Sequence, residues 1–265
     1  MNNLLREIIA NKRVEVAAAK KKITESELVT LAHGKSAARN FREALTSSSS
    51  VKVIAECKKQ SPSKGVFMAN YNPVVLAKSY EKGGAAALSV LTDYKYFGGT
   101  LDDLKSVKEQ VKIPVLRKDF IVDRYQVFEA RAAGADSFLL IAGTLEYSDL
   151  FKLVELGQSL GMEPLIESHT SEELMKAIEG PGKIYGVNNR NLSTFHVDLN
   201  IAAGLISQAK KKRPTITMVC ESGVHSRSDV ESMEAVGYKV FLIGEALVTS
   251  AEPDQALKAL IGTPN

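Results

Sequence analysis

Eight short apolar runs alternate with stretches of helical periodicity, and this alternation limits the possible folds more than any other feature of the chain. The runs are Val51–Glu56, Ala86–Leu91, Pro114–Lys118, Ser137–Ile141, Glu163–Glu167, Ile184–Asn188, Thr217–Glu221 and Val240–Ile243. Between them apolar residues recur three and four apart, as in Leu101, Leu104, Val107 and Val111, or Ile201, Leu205, Ile206 and Ala209. Leu150, Val154 and Leu160, the pair Leu174 and Ile178, and Val230, Met233 and Val236 mark further helices. Glycines such as Gly83-Gly84, Gly98-Gly99, Gly134 and Gly161 punctuate the joints. Strands alternating with helices pair in parallel through right-handed crossovers. Eight units in 265 residues predict one α/β domain, a closed (β/α)8 or TIM barrel. An open doubly wound sheet is the alternative. The turn after the first run, Lys58 to Gly65, carries neither a dinucleotide fingerprint nor a Walker loop.

Residues 1–48 precede the repeat. Leu4, Leu5, Ile8, Ile9, Val14 and Val16 predict a helix with an apolar face, and Phe41 to Leu45 a second, short one. Lys20–Lys22 reads as a solvated face and Ser47–Ser50 as a linker. This N-terminal helical extension is expected to cap the barrel, by closing one end, covering the mouth, or both.

Polar residues gather where the strands end. In a strand, side chains two apart share a face. Glu56 and Lys58 therefore point one way at the end of the first run, and Cys57 the other. The third run ends in Lys118 and Asp119, the fifth in Glu167, the sixth in Asn188 and Arg190, the seventh in Glu221 and Ser222, the eighth at Gly244. In a barrel these ends share one rim, where the fold builds its active sites. Lysines beside glutamates supply cationic acids and carboxylate bases together. A lysine kept as ammonium binds an anion or donates a proton; a lysine neutralised by burial forms a Schiff base. The sequence leaves both open.

Ser222-Gly223 and Ile243-Gly244 are each expected to lead into a helix N-terminus, where backbone N–H groups favour an anion. Ser61, in the donor-rich turn Ser61-Pro62-Ser63-Lys64-Gly65, adds a hydroxyl. Glu245 stands awkwardly beside such a site unless its carboxylate turns away. The plain alternative is that these glycines serve only tight turns. His33, His169, His196 and His225 show no metal-ligand spacing, so no metal site is expected; His169, two residues beyond Glu167, either lines the mouth or, more simply, sits on a surface loop. Cys57 and Cys220 read as wall packing, and Asp119 as a structural residue facing the helix layer.

With 34 basic against 31 acidic side chains the net charge is +3. That is too small for a nucleic-acid footprint and suits a small anionic substrate. Two cysteines make no disulfide framework, so a reduced, cytoplasmic setting is the default. There is no signal-peptide core and no apolar run of membrane-spanning length.

Taken in order, the segments IAECKKQSPSKG (54–65), SVLTDYKYFGG (89–99), VLRKDFIVDRYQV (115–127), ARAAGAD (130–136), IYGVNNRNL (184–192), CESGV (220–224) and LIGEAL (242–247) resemble indole-3-glycerol phosphate synthase. The resemblance runs from the N-terminal helices nearly to the C-terminus. It implies a barrel lyase of tryptophan biosynthesis. Such an enzyme converts 1-(2-carboxyphenylamino)-1-deoxyribulose 5-phosphate to indole-3-glycerol phosphate, carbon dioxide and water, without cofactor or metal. By that resemblance Lys118 is the general acid at the ketone, and Glu167 its proton-transfer partner in later steps. Lys58 binds the substrate carboxylate and is the candidate second acid. Glu56 and Glu221 position the lysines and hold their charge. Asn188 and Arg190 orient substrate and Glu167. Ser61, Ser222, Gly223, Gly244 and Glu245 surround the phosphate. Cys57 and Ser168 depart from the aliphatic residues usual there, and neither change removes a charged position. Partners beyond this aryl-amino sugar phosphate are not expected, and the chain should act as a monomer or weak homodimer. The rivals are another sugar-phosphate barrel, such as phosphoribosylanthranilate isomerase, and a non-catalytic sugar-phosphate binding barrel.

Overall fold

The structure, a computed structural model, describes residues 3–191 and 194–262. Residue 192, which ends the IYGVNNRNL segment, and both chain ends lie outside the described residues. Eight parallel strands close into a barrel: β1 (Lys52–Cys57), β2 (Ala87–Leu91), β3 (Val115–Lys118), β4 (Ser137–Ile141), β5 (Leu165–Ser168), β6 (Ile184–Asn188), β7 (Thr217–Glu221) and β8 (Val240–Ile243). Each pairs with its sequence neighbours, and β8 closes on β1. Four strands, β1, β2, β3 and β5, start later than expected, and β1 and β5 also run one residue further. Pro114 and Pro164 have no N–H to give a ladder, so β3 and β5 begin one residue later than each proline.

The helices are α1 (Asn3–Lys22), α2 (Glu25–His33), α3 (Phe41–Thr46), α4 (Pro73–Lys82), α5 (Tyr94–Phe97), α6 (Leu101–Gln110), α7 (Arg124–Ala132), α8 (Tyr147–Ser159), α9 (Ser171–Ala177), α10 (Asn200–Lys212), α11 (Arg227–Ala235), α12 (Glu245–Val248) and α13 (Pro253–Ile261). Their starts are chemically marked. Thr24, Thr100 and Ser226 each build a reciprocal cap with the acid three residues on. Two short antiparallel strands, Gln60–Ser61 and Gly65–Val66, shape the turn after β1 as a hairpin.

Two apolar layers form the core. Strand residues facing outward, such as Val53, Ala55, Cys57 and Val90, pack under the helix ring. Residues facing inward, including Ile54, Leu116, Leu165, Ile184 and Val219, fill the barrel, joined by Phe41 and Leu45 of α3. Thus α3 sits against β1, β2 and β7 and seals the end where the strands begin. Helix α1 lies elsewhere. Its Leu5 and Ile9 pack on Val122, beyond the C-terminal end of β3. Val14, expected on its apolar face, is 69% exposed, because the buried stripe runs through Leu5, Ile8, Ile9, Lys12 and Val16 instead.

Candidate active site

Inward alternation carries Glu56 to the end of β1, Lys118 to the end of β3, Glu167 to β5, Asn188 to β6 and Glu221 to β7. The strand register fixes their neighbours: Glu221 is paired with both Asn188 and Leu242, and Glu167 with Ile141 and Gly186. One cavity at this rim is lined by Glu56, Lys58, Ser61, Lys118, Glu167 and Asn188, and also by Arg190, Glu221, Ser222, Gly223, Gly244 and Glu245. Every residue singled out for the site therefore meets in one place.

Lys118 is the hub. Its Nζ lies 2.8 Å from Glu167 Oε2 and 3.2 Å from Glu221 Oε2. Burial disfavours its charge, but the carboxylates of Glu167, Glu221 and Glu56 outweigh burial and hold it far above the usual lysine range. Of the two forms the sequence leaves open, this surrounding of carboxyls favours the ammonium over the neutral amine a Schiff base needs. Beside it Lys58 Nζ lies 2.6 Å from Glu56 Oε1 and 5.5 Å from the ring centre of Phe67.

The two glutamates on Lys118 diverge. Burial pushes both up. For Glu167, Lys118 and the nearby His169 overcome it, and its carboxyl falls well below the ordinary range. Asn188 Nδ2 adds a hydrogen bond to Glu167 Oε1 at 2.9 Å. Burial dominates at Glu221, with the Glu167 charge adding to it, and the carboxyl is pushed up to about 8. Its Oε1 has no hydrogen-bond partner. A Cβ at Gly186 would lie 1.8 Å from that oxygen, so glycine at 186 is what makes room for the carboxylate. Gly244 does the same for Glu56, whose Oε1 lies 2.6 Å from the Cβ site. The lysines hold Glu56 below the ordinary range against its burial.

His169 sits in the bend between β5 and α9, but its side chain is not at the surface. It is largely buried behind Glu167, with Nε2 3.1 Å from Glu167 Oε1 but outside hydrogen-bonding geometry. Gly223 does not lead directly into a helix either, since α11 begins only at Arg227 after its Ser226 cap. Ser222 and Gly223 instead form a turn with positive φ, 64° and 90°. Gly244 does precede a helix, α12. The Glu245 carboxylate is held by Lys64, and Arg190 Nη2 lies 3.7 Å away. Cys57 and Cys220 are fully buried, and burial pushes both thiols up, Cys220 to about 12. Asp119 is buried among Thr92, Arg117 and Lys12.

Motif reading left Phe97 and Phe120 out of the site. Leu4, Leu5 and Ile8 of α1, with Phe97 and Phe120, give the same cavity an apolar wall. The rings of Phe97 and Phe120 are 6.0 Å apart. Both phenylalanines stood inside quoted motifs, YFGG and RKDF, but nothing in their spacing pairs them with α1. The cavity thus combines donor-rich, apolar and charged lining. That lining fits a small molecule with an anion and an aromatic ring, reacted on by acid–base chemistry.

Comparison with known proteins agrees. The sequence model of the family described as indole-3-glycerol phosphate synthase matches residues 5–260. Proteins of that name from Albidiferax ferrireducens and Neisseria meningitidis serogroup B are 41% and 43% identical, over 99% and 94% of this chain and 100% and 95% of theirs. Among solved structures, a 3-hexulose-6-phosphate synthase superposes with a TM-score of 0.61 at 17% identity, covering 80% of this chain and 98% of its own, and so shares the barrel. The chain belongs to the indole-3-glycerol phosphate synthase family.

Proposed function

We propose that this chain performs the indole-3-glycerol phosphate synthase reaction with Lys118 as the first general acid and Glu167 as the main proton-transfer group. The observation that carries the assignment is the Lys118 ammonium held between Glu167 and Glu221 in the cavity. In ring closure, the aromatic carbon bearing the substrate carboxylate attacks the ketone carbon. The C–C bond forms, and the ketone oxygen takes a proton from Lys118 to become a hydroxyl. The carboxylate leaves as carbon dioxide, and its electron pair restores the aromatic ring. The hydroxyl then departs as water on receiving a second proton, from Lys58, which solvent recharges. The C–H proton adjacent to nitrogen goes to a carboxylate, completing the indole. Glu167, ionised and in contact with Lys118, is placed for that transfer, and Lys118 can be reprotonated through it.

The remaining roles follow the cavity's polarity. Lys58 binds the substrate carboxylate, and Glu56 keeps it oriented. Asn188 orients Glu167, and its Oδ1 also accepts the Arg190 backbone N–H at 3.0 Å. Ser61, Ser222, Gly223 and Gly244 receive the phosphate, and Lys64 and Arg190, paired with Glu245 until it binds, lie beside it. The aryl ring lies against Leu5, Ile8, Phe97 and Phe120. Protein side chains suffice for each proton transfer, and the reading needs no cofactor or metal. We place the enzyme in the cytoplasm as a monomer or weak homodimer. Among the described residues no helix is long and apolar enough to cross a membrane.

Lys118→Ala tests the acid role. Positioned general acids contribute about 10²–10⁴ in rate, so kcat should fall by about 10³-fold while titration with product still shows binding. A near-normal kcat would remove Lys118 from the mechanism.

A further inference from the structure

Lys12 stands outside the acid–base machinery, yet it is 4% exposed, on a helix that is otherwise mostly solvated. A buried ammonium is costly unless fully compensated. Here its Nζ lies 2.8 Å from Asp93 Oδ2, 2.9 Å from Asp119 Oδ1 and 2.7 Å from Glu15 Oε2. Asp93 and Asp119 are themselves buried, at the C-terminal ends of β2 and β3.

Each aspartate controls one part of the apolar wall. Asp93 caps α5 by accepting the Tyr96 N–H at 2.8 Å, and α5 ends in Phe97. Asp119 Oδ1 accepts the Phe120 N–H at 2.8 Å, while Oδ2 takes Arg117 Nη2 at 2.9 Å and Thr92 Oγ1 at 2.7 Å. On α1, Ile8 and Leu5 lie four and seven residues before Lys12, on the same face of the helix. One ammonium thus joins the segments bearing Phe97, Phe120 and Leu5/Ile8. Apolar contacts alone, Leu5 and Ile9 on Val122, would seat α1 without fixing its register, because such contacts are non-directional.

We propose that Lys12 is a positioning residue for the aryl end of the substrate, clamping the three segments of the cavity's apolar wall into one surface. The inference rests on the reading that the aryl ring lies against this wall.

The test uses the full chain with Lys12→Gln, Lys12→Arg and Asp93→Asn. Anthranilate serves as the aryl-end probe and inorganic phosphate as the other-end probe, both as competitive inhibitors. Lys12→Gln is expected to raise KM and the anthranilate inhibition constant about tenfold, with kcat and the phosphate constant changed less than about threefold. Lys12→Arg should restore most of the loss. Asp93→Asn keeps an oxygen to cap α5 and removes only the charge facing Lys12, so it should shift the same two constants the same way by about threefold. It decides the matter if Lys12→Gln does not fold. Anthranilate affinity unchanged in a folded variant overturns the inference. So does equal weakening of both probes, which would mean general loosening, or a fall in kcat at constant KM, which would place the effect on Lys118. If wild-type enzyme turns over but anthranilate does not compete with substrate, the aryl-wall reading fails and takes this inference with it. If anthranilate competes with wild type and binds the variants equally well, only the Lys12 role fails.

Discussion

Two buried carboxylates at opposite ends of the barrel are built on opposite principles. Asp136, just before β4, is fully buried at the end where strands begin. Its Oδ1 accepts the Arg39 N–H at 2.7 Å and Lys108 Nζ at 2.6 Å, and its Oδ2 accepts Lys108 Nζ at 2.5 Å and the Val115 N–H at 2.9 Å. Glu221, at the end of β7, is 1% exposed, yet it has Lys118 at 3.2 Å on one oxygen and no partner on the other. Equal burial gives a finished ion pair in one place and an under-satisfied, proton-hungry acid in the other. A satisfied buried carboxylate ties elements together; an unsatisfied one is free to exchange protons, and it stands where the substrate enters.

The strongest way to break this contrast is to delete from both ends. Lys118→Ala should cost rate, as above, and stability as well, since it leaves the buried carboxyls of Glu167 and Glu221 without their ammonium. Asp136→Ala should cost stability alone. Removing one member of a buried pair costs about 3–5 kcal/mol, which in a domain of this size lowers Tm by roughly 10 °C. The folded enzyme should keep its kcat within about twofold. A rate loss in folded Asp136→Ala comparable to that of Lys118→Ala would show that the two ends are not separable.

A finer test uses pH. Glu221 titrates at about 8 in the folded protein against an ordinary 4.5. Between those values the folded state keeps a proton that the unfolded chain has released. Stability from this group is therefore fully present below its ordinary value and is lost as pH rises towards about 8. Glu167 shifts the opposite way, so its effect falls on the acid side of the ordinary range and does not overlap. Glu221→Gln cannot titrate. Between about pH 6 and about pH 9, wild type should lose more Tm than Glu221→Gln does. Parallel curves for the two proteins would mean that the Glu221 carboxyl is not raised.

The two ends also differ in how much of them could be read from the chain. The eight-strand repeat and the charged strand ends were legible, because period-two alternation fixes which side chains face inward once the barrel is inferred. Thus Glu56 and Lys58 were placed together, and Cys57 opposite. Asp136, by contrast, lay in a motif with no visible partner. Lys108 and Arg39 reach it from separate elements, and pairing across that distance leaves no local signature. The same limit hid Lys12 and the apolar wall of the site, whose members come from α1 and the ends of β2 and β3. Gly186 looked like an ordinary strand residue; only the carboxylate of Glu221 lying where its Cβ would stand explains it. Of the two readings of His169, a surface loop is the simpler from sequence, because the contact that fixes its backbone, Glu173 Oε2 accepting the His169 N–H at 2.7 Å, comes from α9 and leaves no mark at His169 itself.

The smallest expected effect concerns an acid of intermediate character. The Glu245 carboxylate is only partly buried, and Lys64 and Arg190 hold it below the ordinary range against the pull of burial. Unlike Asp136 its partners are solvent-accessible, and unlike Glu221 it is paired on both sides. If phosphate binds at Gly223 and Gly244, its charge competes with Glu245 for the same two cations. Glu245→Gln should then lower KM. Exposed ion pairs contribute about 0.2–1 kcal/mol, so the change should be no more than about fivefold, with kcat unaltered. The advantage should shrink as ionic strength rises, because exposed charges are screened. A KM that rises instead would mean that Glu245 assembles the cations for the phosphate, and would move it from the competing acids to the structural ones, beside Asp136.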